Sequence, residues 1–231
     1  MLERIDRVLE RANPDVVFAC YGMNDGIYHP ASESRTKAYH DGINTVVEKS
    51  RKAGARVVLM TPPAFDAKSA RGTVPKTADL FGYKTPYVDY SEVLAGYSKW
   101  ILDRDDVTTI DVNAPMMKWL KERRQREPDF RSGDGVHPVK VGYMAMAVAI
   151  LDAMGVALPD KNAQAAMERV TKDPIYKLVE SRRSQRGRAW MKHTGYIRGK
   201  VNQQPEPLGT SEDDAELAEE KIRDLAKAAT P

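Results

Sequence analysis

The hydrophobic positions of this chain alternate between helical spacing and short continuous runs. This succession occurs three times. A range with helical spacing is followed by a continuous run at 2–12 and 16–21, at 39–47 and 56–61, and at 93–101 and 107–112. A continuous apolar run is typical of a strand buried on both faces, and an intervening amphipathic helix is typical of a crossover between parallel strands. The pattern therefore predicts an α/β fold with a parallel sheet covered by helices on both sides.

The composition suggests one globular domain followed by an extension. The chain has 231 residues, of which 42% are hydrophobic and 30% charged, which is enough for one sizeable core. We expect an α/β domain over residues 1–158, a helical basic and aromatic extension over 159–200, and a linker with a terminal helix over 201–231. Ser211 would begin that helix. Ile222 and Leu225 would be its main apolar contacts, either within the chain or with another subunit, including a second copy.

Charge and hydropathy exclude several classes of partner. Lys and Arg number 36 against 33 Asp and Glu, for a net charge of +3, so no global field favours nucleic acid or anionic lipid. No segment approaches the about 18 apolar residues of a membrane span. The first ten residues are too charged for a signal peptide, and since a preceding segment could carry one, the localisation stays open. The single cysteine, Cys20, is expected to be a buried thiol.

Two short motifs carry the candidate chemistry. Gly22-Met23-Asn24-Asp25 directly follows the first predicted strand, and Asp134-Gly135-Val136-His137 precedes an apolar helix over 143–154. In open parallel sheets, ligands bind at the carboxyl ends of the strands, which is where both motifs would lie. The Asn24 amide could stabilise a developing oxyanion, or it could close a turn at the strand end. His137 could exchange a proton while Asp134 fixes its tautomer, or the segment could be a plain surface turn.

Together, the two motifs resemble the third and fifth blocks of the SGNH hydrolases, also called the GDSL esterase/lipase family, over roughly residues 1–155. The resemblance implies a flavodoxin-like three-layer α/β/α fold and hydrolysis of an ester through a Ser-His-Asp acyl-enzyme route without a cofactor. His137, Asp134 and Asn24 would then be catalytic, and Gly22 and Asp25 would support the oxyanion loop. The substrate would be an acyl or acetyl ester of a small molecule or a carbohydrate.

The chain departs from this family in its first two blocks. A Gly-Asp-Ser turn carrying the nucleophile and a second oxyanion glycine are both missing upstream of Gly22. Ser32, Ser34 and Ser132 do not follow a buried strand, so none is assigned as the nucleophile. We therefore expect a sheet that lacks its first strands and leaves the edge of residues 16, 18 and 20 open. Two hypotheses account for this: Met1 is an internal or misassigned start, or another chain supplies the missing half.

Aromatic and basic residues elsewhere are candidates for the substrate pocket. The long loop over residues 64–88 would form pocket walls, and the extension would fold back over the site. The candidates are Phe65, Phe81, Tyr83, Arg188, Trp190 and His193. The basic run of the extension could instead grip nucleic acid, which the low net charge disfavours.

Two rival functions are considered. One is metal-dependent catalysis. No metal is expected, because the possible ligands are too scattered in sequence for a recognisable site; they are His29, His40, Asp41 and His193. The other rival is a non-catalytic binding or assembly protein that keeps the hydrolase scaffold and uses its extension to hold a partner. Such a protein would bind without turnover, and its function would not depend on His137.

Overall fold

The computed structural model describes residues 2–197, 200–201 and 204–228. After a 3-10 turn at Leu2–Arg4, the elements in chain order are α1 Ile5–Ala12, β1 Val16–Cys20, α2 Glu33–Lys52, β2 Arg56–Met60, α3 Tyr90–Leu102, β3 Thr108–Ile110, α4 Asn113–Arg126, α5 Lys140–Ala153, α6 Ala163–Val170, α7 Pro174–His193, β4 Tyr196–Ile197, β5 Lys200–Val201 and α8 Ser211–Ala228. The chain divides into two compact units. One comprises residues 14–166, and the other comprises the described residues of 1–13 and 167–231.

The first unit is built on a parallel three-stranded sheet. Its strand order is β1-β2-β3, with Phe18 opposite Val58 and Met60 opposite Ile110. Each strand follows a helix, as the alternation of apolar patterns predicts, because a parallel pair requires a crossover of this kind. The predicted α/β fold with a parallel sheet is confirmed.

Helices pack on the sheet through the alternating side chains of its strands. Successive strand residues point to opposite faces, and Val58 and Met60 share a cluster with Met146 and Ile150 of α5. Helices α2 and α3 contact β2 and β3 respectively. These two helices also meet each other, since the rings of Tyr39 and Tyr97 stack with centroids 4.0 Å apart. The sheet thus holds all three strand ends in fixed positions.

Strand β1 lies at the edge of the described sheet. Within the described residues it pairs only with β2, and Phe18 is 43% exposed. Phe18 is thus exposed, in agreement with the open edge expected at residues 16, 18 and 20, although the apolar run taken alone indicates burial on both faces. A continuous apolar run indicates a strand suited to burial, but it does not specify how many neighbours the strand has.

The second unit contains a helical hairpin of α7 and α8. Arg186 pairs with Glu212 at 3.0 Å, and Trp190 Nε1 donates to the same carboxylate at 2.7 Å. Ala215 is the buried residue of α8, whereas Leu225 is 40% exposed. That Ile222 and Leu225 are the main apolar contacts of this helix, within the chain or with another subunit, stays a prediction. None of the described helices is long and apolar enough to cross a bilayer.

Candidate active site

The first motif forms a tight turn at the carboxyl end of β1. Gly22 has a φ of +127°, and a Cβ atom placed on it would lie 2.3 Å from Pro62 Cγ. Only glycine combines this backbone conformation with so close an approach of the loop after β2. Gly22 N donates to Asp25 Oδ2 at 2.8 Å, so Asp25, rather than Asn24, closes the turn with its side chain. Asn24 itself is exposed at the top of this turn.

A tyrosine orients the amide of Asn24. The Tyr28 hydroxyl donates to Asn24 Oδ1 at 2.5 Å. Burial, with smaller effects from Tyr83 and Asp134, raises the pKa of Tyr28 to about 12, so this hydroxyl is a proton donor at neutral pH. Because the amide oxygen is already occupied, the Nδ2 hydrogens of Asn24 face away from Tyr28. They are the part of the amide that can stabilise an oxyanion.

The backbone that carries Tyr28 is strained. Ile27 and Tyr28 have φ values of 45° and 63°, a region in which non-glycine residues cost on the order of 1–3 kcal/mol each. The surroundings hold this conformation, since Tyr28 is 6% exposed and its carbonyl accepts from Tyr87 N at 2.9 Å. The result is a rigid position for the hydroxyl that contacts Asn24.

The second motif forms an Asp–His dyad. Asp134 Oδ2 lies 3.0 Å from His137 Nδ1, while Asp134 Oδ1 accepts from the backbone N–H groups of Val136 and His137 at 3.0 and 2.7 Å. A carboxylate can only accept, so the neutral imidazole carries its proton on Nδ1 and presents an unprotonated Nε2. The His137 side chain is 66% exposed, and within the described residues Nε2 makes no hydrogen bond. The imidazole is therefore ready to take a proton.

The Asp134 carboxylate receives a fourth hydrogen bond from Tyr83. The Tyr83 hydroxyl donates to Oδ2 at 2.5 Å. Burial raises the pKa of Asp134, but the hydrogen bonds from His137, Tyr83 and Val136 outweigh it and hold this pKa well below its usual range. The bond to the carboxylate is also the first cause of a raised pKa for Tyr83. Asp134 is consequently an anion throughout the neutral range.

Two glycines shape the loop that carries the dyad. Gly135 has a φ of +89°, and a Cβ on it would lie 2.6 Å from the carbonyl oxygen of Asp66. At Gly133, with a φ of +64°, the added atom would lie 1.9 Å from the carbonyl oxygen of His137. The loop therefore folds against its own backbone and against the segment after β2, which fixes where His137 emerges.

A buried polar network, which sequence reasoning missed, lies beneath this loop. Asp66 is 5% exposed and pairs with Arg124 Nη2 at 2.6 Å. The Ser69 hydroxyl donates to the same carboxylate oxygen and accepts from Ser132 N at 2.6 Å. Asp66 follows β2 closely, so its place near the strand ends could have indicated a role. No local sequence pattern around Arg124 or Ser69 indicates that these residues belong to the network.

None of the three serines considered from sequence reaches His137. Ser32 accepts from Arg35 N at the start of α2, Ser34 Oγ lies 3.4 Å from Ser32 Oγ, and Ser132 is 2% exposed. Across the described part of the chain, no serine hydroxyl is hydrogen-bonded to His137. The described residues likewise contain no group of three or more His, Cys, Asp or Glu side chains arranged to hold a metal ion.

The predicted pocket residues occupy different environments. Phe65 lies in the core, 2% exposed, with its ring edge-on to Tyr90. The rings of Phe81 and His29 are 5.0 Å apart, and Tyr83 meets the His137 ring edge-on at 6.2 Å.

The three candidates in the second unit have partners there. Arg188 donates to Ser184 Oγ at 2.6 Å, Trp190 to Glu212, and His193 Nδ1 lies 3.0 Å from the carbonyl oxygen of Glu206. A pocket role for Arg188, Trp190 and His193 stays a prediction.

The fold and the site define a class of α/β protein that carries an Asp–His dyad and an asparagine amide on the loops of a parallel sheet. A family model described as the GDSL-like Lipase/Acylhydrolase family matches residues 1–145. The chain belongs to this family.

A solved structure of a gut microbial diltiazem-metabolizing enzyme is similar to this chain, with 22% sequence identity and a TM-score of 0.47. The similarity covers 67% of this chain and 37% of that one, so the chain spans well under half the length of that enzyme. A search of curated proteins found no match.

Proposed function

We propose that this chain supplies the acid–base and oxyanion groups of a serine esterase. His137 would be the general base and acid, Asp134 the carboxylate that orients it, and Asn24 the oxyanion donor. The observation that carries the proposal is the Asp134–His137 contact of 3.0 Å, which leaves an exposed and unprotonated Nε2. Membership of a lipase and acylhydrolase family supports it.

The chemistry follows from these positions. A seryl hydroxyl attacks the ester carbonyl while His137 Nε2 takes its proton, and the carbonyl oxygen becomes an oxyanion that accepts from Asn24 Nδ2. Collapse expels the alcohol, which receives the proton from His137 and leaves an acyl-enzyme. Water then attacks with His137 again acting as the base, releasing the acid and the free serine. Asp134 stays ionised and stabilises the imidazolium formed in each step.

The substrate is proposed to be an acyl or acetyl ester of a small molecule or a carbohydrate. The Tyr83 ring is 49% exposed and meets the His137 ring at 6.2 Å, with Phe81 on the same loop. Aromatic side chains beside a reacting centre provide apolar surface for an acyl group or for the face of a sugar ring.

No serine hydroxyl among the described residues is hydrogen-bonded to His137, so the nucleophile is the part of the proposed site that is not accounted for. The esterase proposal therefore requires a seryl hydroxyl from a further polypeptide segment. The same observation favours a second candidate function, in which the scaffold binds an ester-bearing ligand or a partner without turnover. The two candidates differ in whether a fluorophosphonate, which labels only activated serines, reacts with the protein.

The test uses the protein isolated from its own organism, with p-nitrophenyl acetate as substrate and a fluorophosphonate as the label. We expect one labelled serine and a loss of kcat of at least about a thousandfold in His137→Ala. Asp152→Asn, which removes an exposed carboxylate paired with Lys161, is the control and should retain activity. Labelling and turnover that persist in His137→Ala would overturn the esterase proposal, and an unlabelled, inactive protein would favour the binding role.

A further inference from the structure

Tyr83 joins the aromatic loop to the dyad across a long sequence separation. Its hydroxyl donates to Asp134 Oδ2, the same oxygen that faces His137 Nδ1. The other oxygen, Oδ1, accepts from two backbone N–H groups of its own loop. Within the described residues, Tyr83 is therefore the group outside the Asp134–His137 loop that fixes the plane of the carboxylate.

The position of Tyr83 is itself determined by the turn that carries Asn24. The Tyr83 ring meets the Tyr28 ring edge-on, with centroids 5.8 Å apart. Mutual backbone hydrogen bonds between Gly82 and Thr85, at 3.2 and 3.1 Å, close the turn around Tyr83. The Tyr28 carbonyl also accepts from Tyr87 N at 2.9 Å. Tyr28 thus contacts both the Asn24 amide and the residue that holds Asp134.

We propose that Tyr83 is a positioning residue of the dyad, whose hydroxyl holds Asp134 Oδ2 on His137 Nδ1 and so keeps Nε2 of the neutral imidazole unprotonated. The inference rests on the proposed function for its catalytic meaning, and it goes beyond the role of Tyr83 as a pocket wall. Without the hydroxyl, Oδ2 keeps His137 as its one partner among the described residues, and rotation of the carboxylate releases the imidazole to adopt its other tautomer.

Nitrogen-15 spectra of the imidazoles in the 231-residue chain test this inference without any need for turnover. His137→Ala assigns the His137 signals. The unaltered chain should show His137 as a single tautomer with its proton on Nδ1, and Tyr83→Phe should lose this single-tautomer pattern and show a second tautomer. The phenylalanine keeps the ring contact with Tyr28, and Tyr83 is half-exposed, so the fold should be retained.

Two further tyrosine variants serve as controls. Tyr143→Phe alters a tyrosine on α5 that is 50% exposed, and Tyr28→Phe removes the hydroxyl that contacts Asn24 but keeps the ring beside Tyr83. Both should leave the His137 tautomer unchanged. The inference is overturned if Tyr83→Phe also leaves it unchanged, or if all three variants alter it equally.

Kinetics of the protein isolated from its own organism separate this inference from the proposed function. A positioning role predicts that Tyr83→Phe lowers kcat by about tenfold with little change in KM, since general-base catalysis depends on the orientation of the base. A higher KM at constant kcat would overturn it in favour of substrate contact. Failure of the proposed function appears differently, as turnover that does not depend on His137.

Discussion

The backbone N–H of Asp66 donates to the carbonyl oxygen of Gly135 at 2.9 Å. This bond joins the loop after β2 directly to the loop that carries Asp134 and His137. The Gly135 Cα approaches the same segment so closely that a Cβ would lie 2.8 Å from Ala70 N. The dyad is therefore supported by backbone contacts that depend on one residue having no side chain.

Gly135→Ala should destabilise the protein more than an alanine at a comparable glycine. Gly155 also has a positive φ, of +75°, but an added Cβ there meets nothing within 4 Å. Gly155→Ala should cost about 1 kcal/mol from backbone strain alone, and Gly135→Ala should cost at least about 2 kcal/mol more because backbone atoms must move. Urea unfolding of the two variants measures the difference. Equal losses of unfolding free energy in the two variants would show that the loop can move to accommodate the extra atom.

The ion pair between Asp66 and Arg124 should matter far more than an exposed pair. Arg124→Met leaves the Asp66 carboxylate, which is 5% exposed, without its cation, and such a loss costs about 3–5 kcal/mol. Lys118→Met removes a side chain that is 76% exposed and lies 3.9 Å from Glu122, so it should cost at most about 0.5 kcal/mol. Denaturant unfolding compares the two. Adding Asp66→Asn to Arg124→Met should recover part of the loss, and no recovery would contradict this account.

The Cys20 thiol should react slowly in the folded protein. Burial raises the pKa of Cys20 to about 11, and Sγ donates to the carbonyl oxygen of Thr61 at 3.5 Å. At about pH 8 only about one thiol in a thousand is then ionised, so reaction with a disulfide reagent should be at least about a hundredfold slower than for free cysteine. Unfolding in guanidinium should restore the normal rate, and Cys20→Ala provides the blank. Rapid stoichiometric reaction of the native chain would contradict the prediction.

Asp134 should make stability depend on pH in the acid range. Because the native pKa is held below that of the unfolded chain, the unfolded state binds more protons below about pH 4. The stabilisation by Asp134 is thus complete above about pH 5 and is lost as the pH falls through the native pKa. The difference in unfolding free energy between the protein and Asp134→Asn should therefore shrink between about pH 5 and pH 2. A difference that stays constant over this range would show that the four hydrogen bonds do not favour the anion.

The parts of the fold that could be predicted from the sequence are those with strong apolar periodicity. The three strands of the parallel sheet fall within the predicted runs, and α5 Lys140–Ala153 overlaps the apolar helix predicted over 143–154. Helix α4 was missed because it buries only Met116 and Leu120, so its sequence carries little apolar pattern. The exposure of Phe18 follows from the open edge expected at residues 16, 18 and 20 and not from the apolar run itself, since strand neighbours come from elsewhere in the chain.

The residues of the candidate site also divide into those that a sequence motif indicates and those that no local pattern indicates. Asn24, Asp134 and His137 could be proposed from the sequence because each lies in a short motif with a recognisable chemistry. The bonds from Tyr83 to Asp134 and from Arg124 to Asp66 cross 51 and 58 residues, and no local pattern encodes either. Sequence reasoning thus found residues whose type suggests a reaction, and it missed the partners that hold them.

The four hydrogen bonds to Asp134 bear on how this carboxylate responds to a charge on His137. Each acceptor position of the carboxylate is already occupied by a donor from Val136, His137 or Tyr83. When the imidazole gains a proton, these four dipoles already point towards the carboxylate. Fixed donors therefore take over part of the reorganisation that water would otherwise supply on this side of the imidazole, even though the Asp134 side chain is 41% exposed.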